Sequence, residues 1–278
     1  MKQIKTIAIS GASGFVGQSL QKSLKNVVVL GRDDSVKTLT EKLKDVDVVI
    51  NLAGAPIVKR WNEAYKKVLY NSRIETTKKL VSAIDKSDVS YFISTSAIGI
   101  YPNNKSCTES CTAYADDFLA RLCEDWEKEA LKCTKSTAIL RLGVVLGKEG
   151  GALAKMLLPF KLGLGGNISD GKMMTSWIAM DDLMHMYAFF IKHKFEGIYN
   201  AVSPNPVDNA SFTKTLGETL NRPTVMPLPA QILKLIYGES SCVLVDSKEV
   251  YPKHLLAKGF EFKYPTINNA LKHLLSKE

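Results

Sequence analysis

The segment that most limits what this chain can fold into is Gly11-Ala12-Ser13-Gly14-Phe15-Val16-Gly17, set between an apolar run and a helical one. Residues 5–10 are apolar and rich in β-formers, and residues 15–25 carry apolar side chains at helical spacing. Gly11 permits a tight strand-to-helix turn. Gly14 lets a pyrophosphate approach the backbone, and Gly17 lets the helix pack close to the strand. The helix N-terminus then offers unpaired N–H groups and the positive end of a dipole. Gly11, Ser13, Gly14, Phe15, Val16 and Gly17 are therefore expected to hold a dinucleotide. The spacing is GxxGxxG rather than GxGxxG, and a tight turn without a ligand is the alternative.

Strand and helix patterns alternate beyond the loop. Residues 27–30, 46–51, 91–96 and 138–146 read as buried strands, and residues 35–44, 61–86 and 116–132 as helices. Near-continuous apolar strands separated by helices imply a parallel sheet covered on both faces. The expected fold is α/β: a doubly wound parallel sheet over residues 1–147, with a smaller C-terminal lobe over 148–278. In the lobe, residues 152–162 and 267–277 read as helices. Trp177 to Asp182 runs from strand into helix, with Asp181 or Asp182 as its N-cap.

Composition excludes several classes. The chain has 278 residues, 45% of them hydrophobic, enough for a sizeable core. No apolar run approaches the ~20 residues that cross a bilayer, so no membrane partner is expected. The first ten residues read as a strand rather than a signal peptide. Five cysteines without a CxxC pair suggest reduced thiols, no metal site and a cytoplasmic location. The net charge of +9 is spread along the chain without a nucleic-acid motif, so a solvated basic surface is expected rather than a nucleic-acid partner. Oligomeric state is not legible.

The end of the second strand discriminates between cofactors. An acidic residue there accepts from the free ribose 2′-hydroxyl of NAD, whereas a basic one pairs with the 2′-phosphate of NADP. Here it reads Leu30-Gly31-Arg32-Asp33-Asp34, and Arg32 favours NADP over NAD. Leu52, Ala53 and Gly54 end the third strand beside the loop. Arg73 is a second candidate for the phosphate region, with a surface role as the alternative.

At Asn51-Leu52-Ala53-Gly54 the chain begins to resemble the extended short-chain dehydrogenase/reductase superfamily. With Arg60-Trp61-Asn62, Ser72-Arg73-Ile74-Glu75-Thr76-Thr77, Trp126-Glu127 and Leu140-Arg141-Leu142-Gly143-Val144, it resembles the epimerase family proteins, also called NAD-dependent epimerase/dehydratase-like. The segment at about 225–276 resembles that group's C-terminal domain of unknown function. The resemblance implies a Rossmann-type cofactor domain and a C-terminal substrate lobe. Thr95, Leu142, Val144 and Arg121 complete the expected cofactor-binding set.

The same superfamily implies a Ser, Tyr and Lys that combine proton transfer with hydride transfer by the cofactor. Ser96 fits the serine. Tyrosine and lysine should stand four apart on the next long helix, where this chain has Asp117 and Arg121. Arg121 can replace lysine as a cation. An ordinary carboxylic acid titrates near ~3.9 against ~10 for a phenol, so it is no simple substitute for tyrosine. The literal YxxxK, Tyr101 to Lys105, lies in a Pro/Asn loop and does not align its ends. Tyr101 and Tyr114 remain candidates for the cleft on their own. Glu109, Glu124 and Glu127 read as surface or helix-pair carboxylates, and the four histidines as structural or exposed. Trp177 and Met156 read as core.

Two functions follow as expectations. One is an NADP(H)-dependent oxidoreductase or epimerase acting on a carbonyl, hydroxyl or sugar-like small molecule. The other is a non-catalytic NADP(H)-binding or sensing protein, suggested by Asp117 in place of tyrosine.

Overall fold

The computed structural model describes residues 6–276. Lys5 of the expected first strand, residue 277 of the expected last helix and the reading of Met1–Lys5 lie outside them. β1 (Ile7–Ser10), β2 (Val27–Leu30), β3 (Val48–Asn51) and β4 (Tyr91–Ala97) join strands Ser136–Leu142 and Gly197–Ala201 in one six-stranded sheet. The order is 197–201, 136–142, β4, β3, β1, β2, and every pairing is parallel.

Alternate residues of each strand enter different cores, which explains the unbroken apolar runs. Ile7 and Ile9 pack with Leu20 of α1 (Phe15–Ser23) and with Leu183, Met186 and Phe190 of α7 (Met180–His193). Ala8, Val49 and Phe92 face the other way. They meet Leu39 of α2 (Val36–Lys42), Leu80 and Ile84 of α4 (Ile74–Ile84), and Ala130 of α5 (Phe118–Ala130). The chain leaves β1 toward β2 on one side and returns to β3 on the other. Such a switch point opens a crevice above the strand carboxyl ends. A third core gathers Trp177, fully buried, with Leu153 and Phe160 of α6 (Gly151–Lys161), Phe212 of α8 (Asn209–Leu220) and the closing helix Ile267–Leu275.

Four elements differ from the sequence expectation. The helix expected over 61–86 is two, α3 (Glu63–Asn71) and α4, broken at Ser72. Ser72 Oγ donates to the Leu69 carbonyl at 3.0 Å and accepts from Ala55 N at 2.9 Å, which competes with helix continuation. The strand expected over 138–146 is broken at Gly143, where a Cβ would sit 2.6 Å from Ser176 O. Val144–Gly147 leaves the main sheet to pair with Trp177–Ala179. Ala179, not Asp181 or Asp182, caps α7. The buried Asp182 carboxylate instead accepts from Lys263 N and Tyr264 N at 2.7 and 3.0 Å, tying α7 to the C-terminal segment. Finally, Gly197–Ala201 supplies a strand that the sequence pattern had not marked. Among the described residues, no helix is long and apolar enough to cross a membrane.

Candidate functional site

The glycine loop lies over the carboxyl ends of β1 and β3. Gly11 has φ +74°, a left-handed conformation that glycine adopts without strain. A Cβ there would lie 2.6 Å from the Leu52 carbonyl, so the two strand ends touch backbone to backbone. A Cβ on Gly17 would overlap Gly11 O and Ala12, which explains the close seating of α1. Gly14 is the N-cap of α1, and no side chain caps that end. The first turn also holds no acidic residue, so its N–H groups and dipole are uncompensated.

Around the loop, Ser13 and Gly14 are exposed, and Val16 and Leu52 pack partly into the core. The Phe15 ring seats on the turn made by Gly147, Gly150 and Gly151, where any Cβ would collide with it. A buried polar chain pins the crevice from below. Ser10 Oγ donates to Asn51 Oδ1 at 2.6 Å, and Ala53 N donates to the same oxygen at 3.2 Å. Asn51 Nδ2 and Trp126 Nε1 both donate to Thr77 Oγ1, at 2.8 and 2.9 Å. The ends of β1 and β3 are thereby locked to α4 and α5.

Two arginines border this crevice. Arg32 is exposed at the end of β2, and among the described residues its guanidinium makes no hydrogen bond or ion pair. Of the acids beside it, Asp34 accepts from Gly31 N at 2.6 Å and pairs with Lys42 at 2.7 Å. The Lys42 hydrogen bond holds its carboxyl below the usual range. Arg73 is half-buried. It donates to Leu69 O and Ala55 O at 3.2 and 3.1 Å, and its guanidinium stacks on Trp126 at 5.3 Å. Gly54 makes room for it, since a Cβ there would lie 2.9 Å from Arg73 Cζ. Burial pulls the Arg73 pKa below its usual value, and no carboxylate lies within ion-pair distance of it among the described residues.

The carboxyl end of β4 leads to a different constellation. Arg141, next to the carboxyl end of strand 136–142, is 0% exposed. Its Nε and Nη2 donate to the two oxygens of buried Glu127 at 2.8 and 2.7 Å. Nη1 donates to Tyr101 Oη at 2.7 Å, and Nη2 to Tyr114 Oη at 3.1 Å. Burial works against the Arg141 charge, and the Glu127 hydrogen bonds and charge more than offset it, so its pKa rises. Ser96 Oγ donates to Glu127 Oε1 at 2.6 Å, and Tyr101 Oη donates to Asn200 Oδ1 at 2.9 Å. Burial pushes the Tyr101 phenol up to about 12. Ser96 and Tyr101 are thus brought together, but as members of an Arg141–Glu127 network.

Glu127 is therefore not the surface carboxylate that the sequence suggested. It lies on the buried stripe of α5 with Ala120, Cys123 and Ala130. The missed signal was Arg141, the one charge in Ala138–Leu146. A doubly buried strand carrying an arginine requires a carboxylate partner. Glu109 is likewise engaged, accepting from Asn200 N at 2.9 Å and His254 N at 3.2 Å.

Asp117 stands at the N-cap of α5, and its Oδ1 accepts from Ala120 N at 2.8 Å. Arg121, one turn on, is exposed and pairs with Asp116 at 2.7 Å. Neither joins the Arg141 network. Thr95 Oγ1 lies 3.2 Å from Tyr187 Oη on the opposite face of β4, and Leu142 and Val144 are half-buried where strand 136–142 ends. All five cysteines are free. Among the described residues, no cluster of three or more His, Cys, Asp or Glu side chains could hold a metal.

Comparison with known proteins agrees with this architecture. A family model described as the NAD dependent epimerase/dehydratase family matches residues 7–201, and a domain of unknown function, DUF1731, matches 228–274. The chain is 33% identical over 300 residues to an Arabidopsis thaliana protein named epimerase family protein SDR39U1 homolog, chloroplastic, covering 97% of this chain and 86% of that one. It is 32% identical over 291 residues to Homo sapiens epimerase family protein SDR39U1, covering 97% and 99%. The crystal structure of human SDR39U1 isoform 2 with NADPH superimposes with a TM-score of 0.92 at 30% identity, covering 97% and 99%. Sheet order, glycine loop and sequence similarity over nearly the whole length lead to one assignment: this chain belongs to the NAD-dependent epimerase/dehydratase family.

Proposed function

We propose that this protein binds NADP(H) in the β1/β3 crevice and acts as an oxidoreductase or epimerase on a carbonyl, hydroxyl or sugar-like small molecule. The observation that carries the cofactor reading is the uncapped, acid-free N-terminus of α1, set behind a loop in which Gly11 and Gly17 leave no space for a Cβ. The human relative solved with NADPH supports it. Bound NADP(H) would supply or accept a hydride at its nicotinamide ring.

The chain's own residues divide the remaining work. Gly11, Ser13, Gly14, Phe15, Val16 and Gly17 form the pyrophosphate cradle; the Gly14 N–H closes the turn on Gly11 O at 3.0 Å, and the first turn of α1 supplies free N–H groups. Arg32 pairs with the 2′-phosphate, since its exposed guanidinium makes no other hydrogen bond or ion pair among the described residues. Arg73 offers a second cation beside Leu52, Ala53 and Gly54. Arg121 supplies the positive charge on α5, and Thr95, Leu142 and Val144 line the strand ends. Arg32→Glu is expected to weaken NADPH binding at least tenfold while NAD(H) binding changes far less, because one charge-assisted pair is removed and one repulsion added (about 1.5–3 kcal/mol). Bound-cofactor fluorescence measures both, and an unchanged preference refutes this role.

The proton-transfer partner is the open part of the reaction. The Ser96 proton is directed to Glu127 and the Tyr101 proton to Asn200, so as found both hydroxyls serve the network before any substrate. Asp117 serves as a cap, and that observation favours the second reading, a non-catalytic NADP(H) binder. Asp117→Asn separates the two, because asparagine caps a helix as well as aspartate but cannot donate a carboxyl proton. NADPH turnover would be followed against a panel of carbonyl compounds and nucleotide sugars. Turnover lost in Asp117→Asn at unchanged thermal stability makes Asp117 the proton donor. Turnover retained leaves it a cap. Wild-type turnover no higher than that of a Gly11→Ala variant supports the non-catalytic reading.

A further inference from the structure

We propose that the surface formed by residues 158–164 and 225–236 docks onto an anionic lipid surface. Eight of the thirteen exposed large hydrophobic side chains among the described residues fall in these two short segments. Leu158, Leu162, Val225 and Leu235 are 67%, 65%, 75% and 76% exposed. The segments lie side by side. Arg222 Nε donates to Lys161 O at 2.8 Å, Met226 N to Gly165 O at 3.1 Å and Leu228 N to Asn167 O at 2.8 Å. Pro229 then leads directly into α9 (Ala230–Tyr237), which buries only Leu233 and turns Ile232, Leu235 and Ile236 outward.

Charge identifies the occupant. Residues 151–169 and 221–238 contain no Asp or Glu, whereas Lys155, Lys161, Arg222 and Lys234 are all exposed there. Arg60 adds a further cation by donating to Leu235 O at 2.9 Å. In a two-fold pairing with a second copy, the same cations would confront one another. Protein interfaces also favour aromatic residues and disfavour lysine, the reverse of this patch. An anionic leaflet satisfies both halves of the pattern. Aliphatic tips enter the interfacial region, and lysine stems lie along the apolar surface with their ammonium groups among the headgroups. The expectation of no membrane partner came from the lack of a spanning run, which surface docking does not need. No hydropathy window detects a patch assembled from segments that are separate in sequence.

The test is co-sedimentation of the full chain with phosphatidylcholine vesicles, with and without phosphatidylglycerol. Binding is expected only to the anionic vesicles, and is expected to fall at high salt. Leu162→Asp and Leu235→Asp should each weaken it at least about tenfold. Lys161→Ala and Lys234→Ala should each weaken it about fivefold. These side chains are exposed, so thermal midpoint and NADPH binding should match wild type, which separates loss of docking from loss of fold. Absence of binding, equal binding to pure phosphatidylcholine, or binding unaffected by the leucine variants overturns the proposal. So does a wild-type dimer in light scattering that Leu235→Asp converts to a monomer.

Discussion

Glu127→Ala is expected to lower the stability of this fold by about 3–5 kcal/mol, the cost of stripping one partner from a buried ion pair. Glu127 is the acceptor for Arg141 at 2.7 and 2.8 Å and for Ser96 at 2.6 Å, and both arginine and glutamate are buried. Without it, a fully buried guanidinium keeps only the Tyr101 and Tyr114 hydroxyls as partners. The loss spreads because the network spans β4, strand 136–142, α5 and, through Asn200, strand 197–201. In thermal unfolding, the midpoint should drop by roughly 10 °C. Lys128→Ala, one residue away on the exposed face, removes only solvated pairs with Glu124 and Asp125 and should change stability by less than about 1 kcal/mol. Similar midpoints for the two variants would show that the buried pair contributes little. Glu127→Leu combined with Arg141→Met removes both charges together and should recover part of the loss.

Gly11→Ala should damage both fold and cofactor binding. At φ +74° the left-handed backbone costs an L-residue about 1–2 kcal/mol, before any contact is considered. The added methyl would also sit 2.6 Å from the Leu52 backbone and 2.8 Å from Ala53 N, so the loop must lift away from β3. Lifting it moves the N-terminus of α1 off the phosphate position, and NADPH affinity should fall by at least about tenfold. Gly14→Ala is the informative companion. Gly14 has an ordinary φ of −75°, and its Cβ would approach Gly11 O at 3.2 Å, which a small shift relieves. Its thermal midpoint should stay near wild type. Any loss of NADPH affinity in that variant reports directly on how closely phosphate approaches the backbone. Equal midpoints for the two variants would refute the conformational requirement at Gly11.

The glycine turn was legible because its determinants are local. A strand, three glycines and a helix occupy consecutive residues, and their spacing constrains the backbone whatever lies elsewhere. The α2 and α5 helices were also visible, and the structure caps them with Ser35 and Asp117. Asp117 shows where such reading stops. Its position four residues before Arg121 suggested chemistry, while the carboxylate is occupied by Ala120 N. Sequence alignment with the expected tyrosine shows which residue is there, not which backbone group that residue serves.

The Arg141 network was illegible for a different reason. Ser96, Tyr101, Glu127, Arg141 and Asn200 are brought together by parallel pairing of three strands and by the rotation of α5 about its axis. Each residue alone has a bland explanation, and only register places Ser96 opposite Arg141. Likewise, the strand expected over 138–146 breaks because Gly143 meets Ser176, a residue more than thirty positions away.

The sequence by itself determined the α/β alternation, the glycine-rich strand-to-helix turn and the basic residue ending β2, because helix periodicity, strand apolarity and glycine freedom are properties of neighbouring residues. The tertiary structure alone decided which charges are buried, which hydroxyls are committed to partners and which apolar side chains remain outside. Those outcomes depend on desolvation and on hydrogen bonds between segments that meet only after the sheet has assembled.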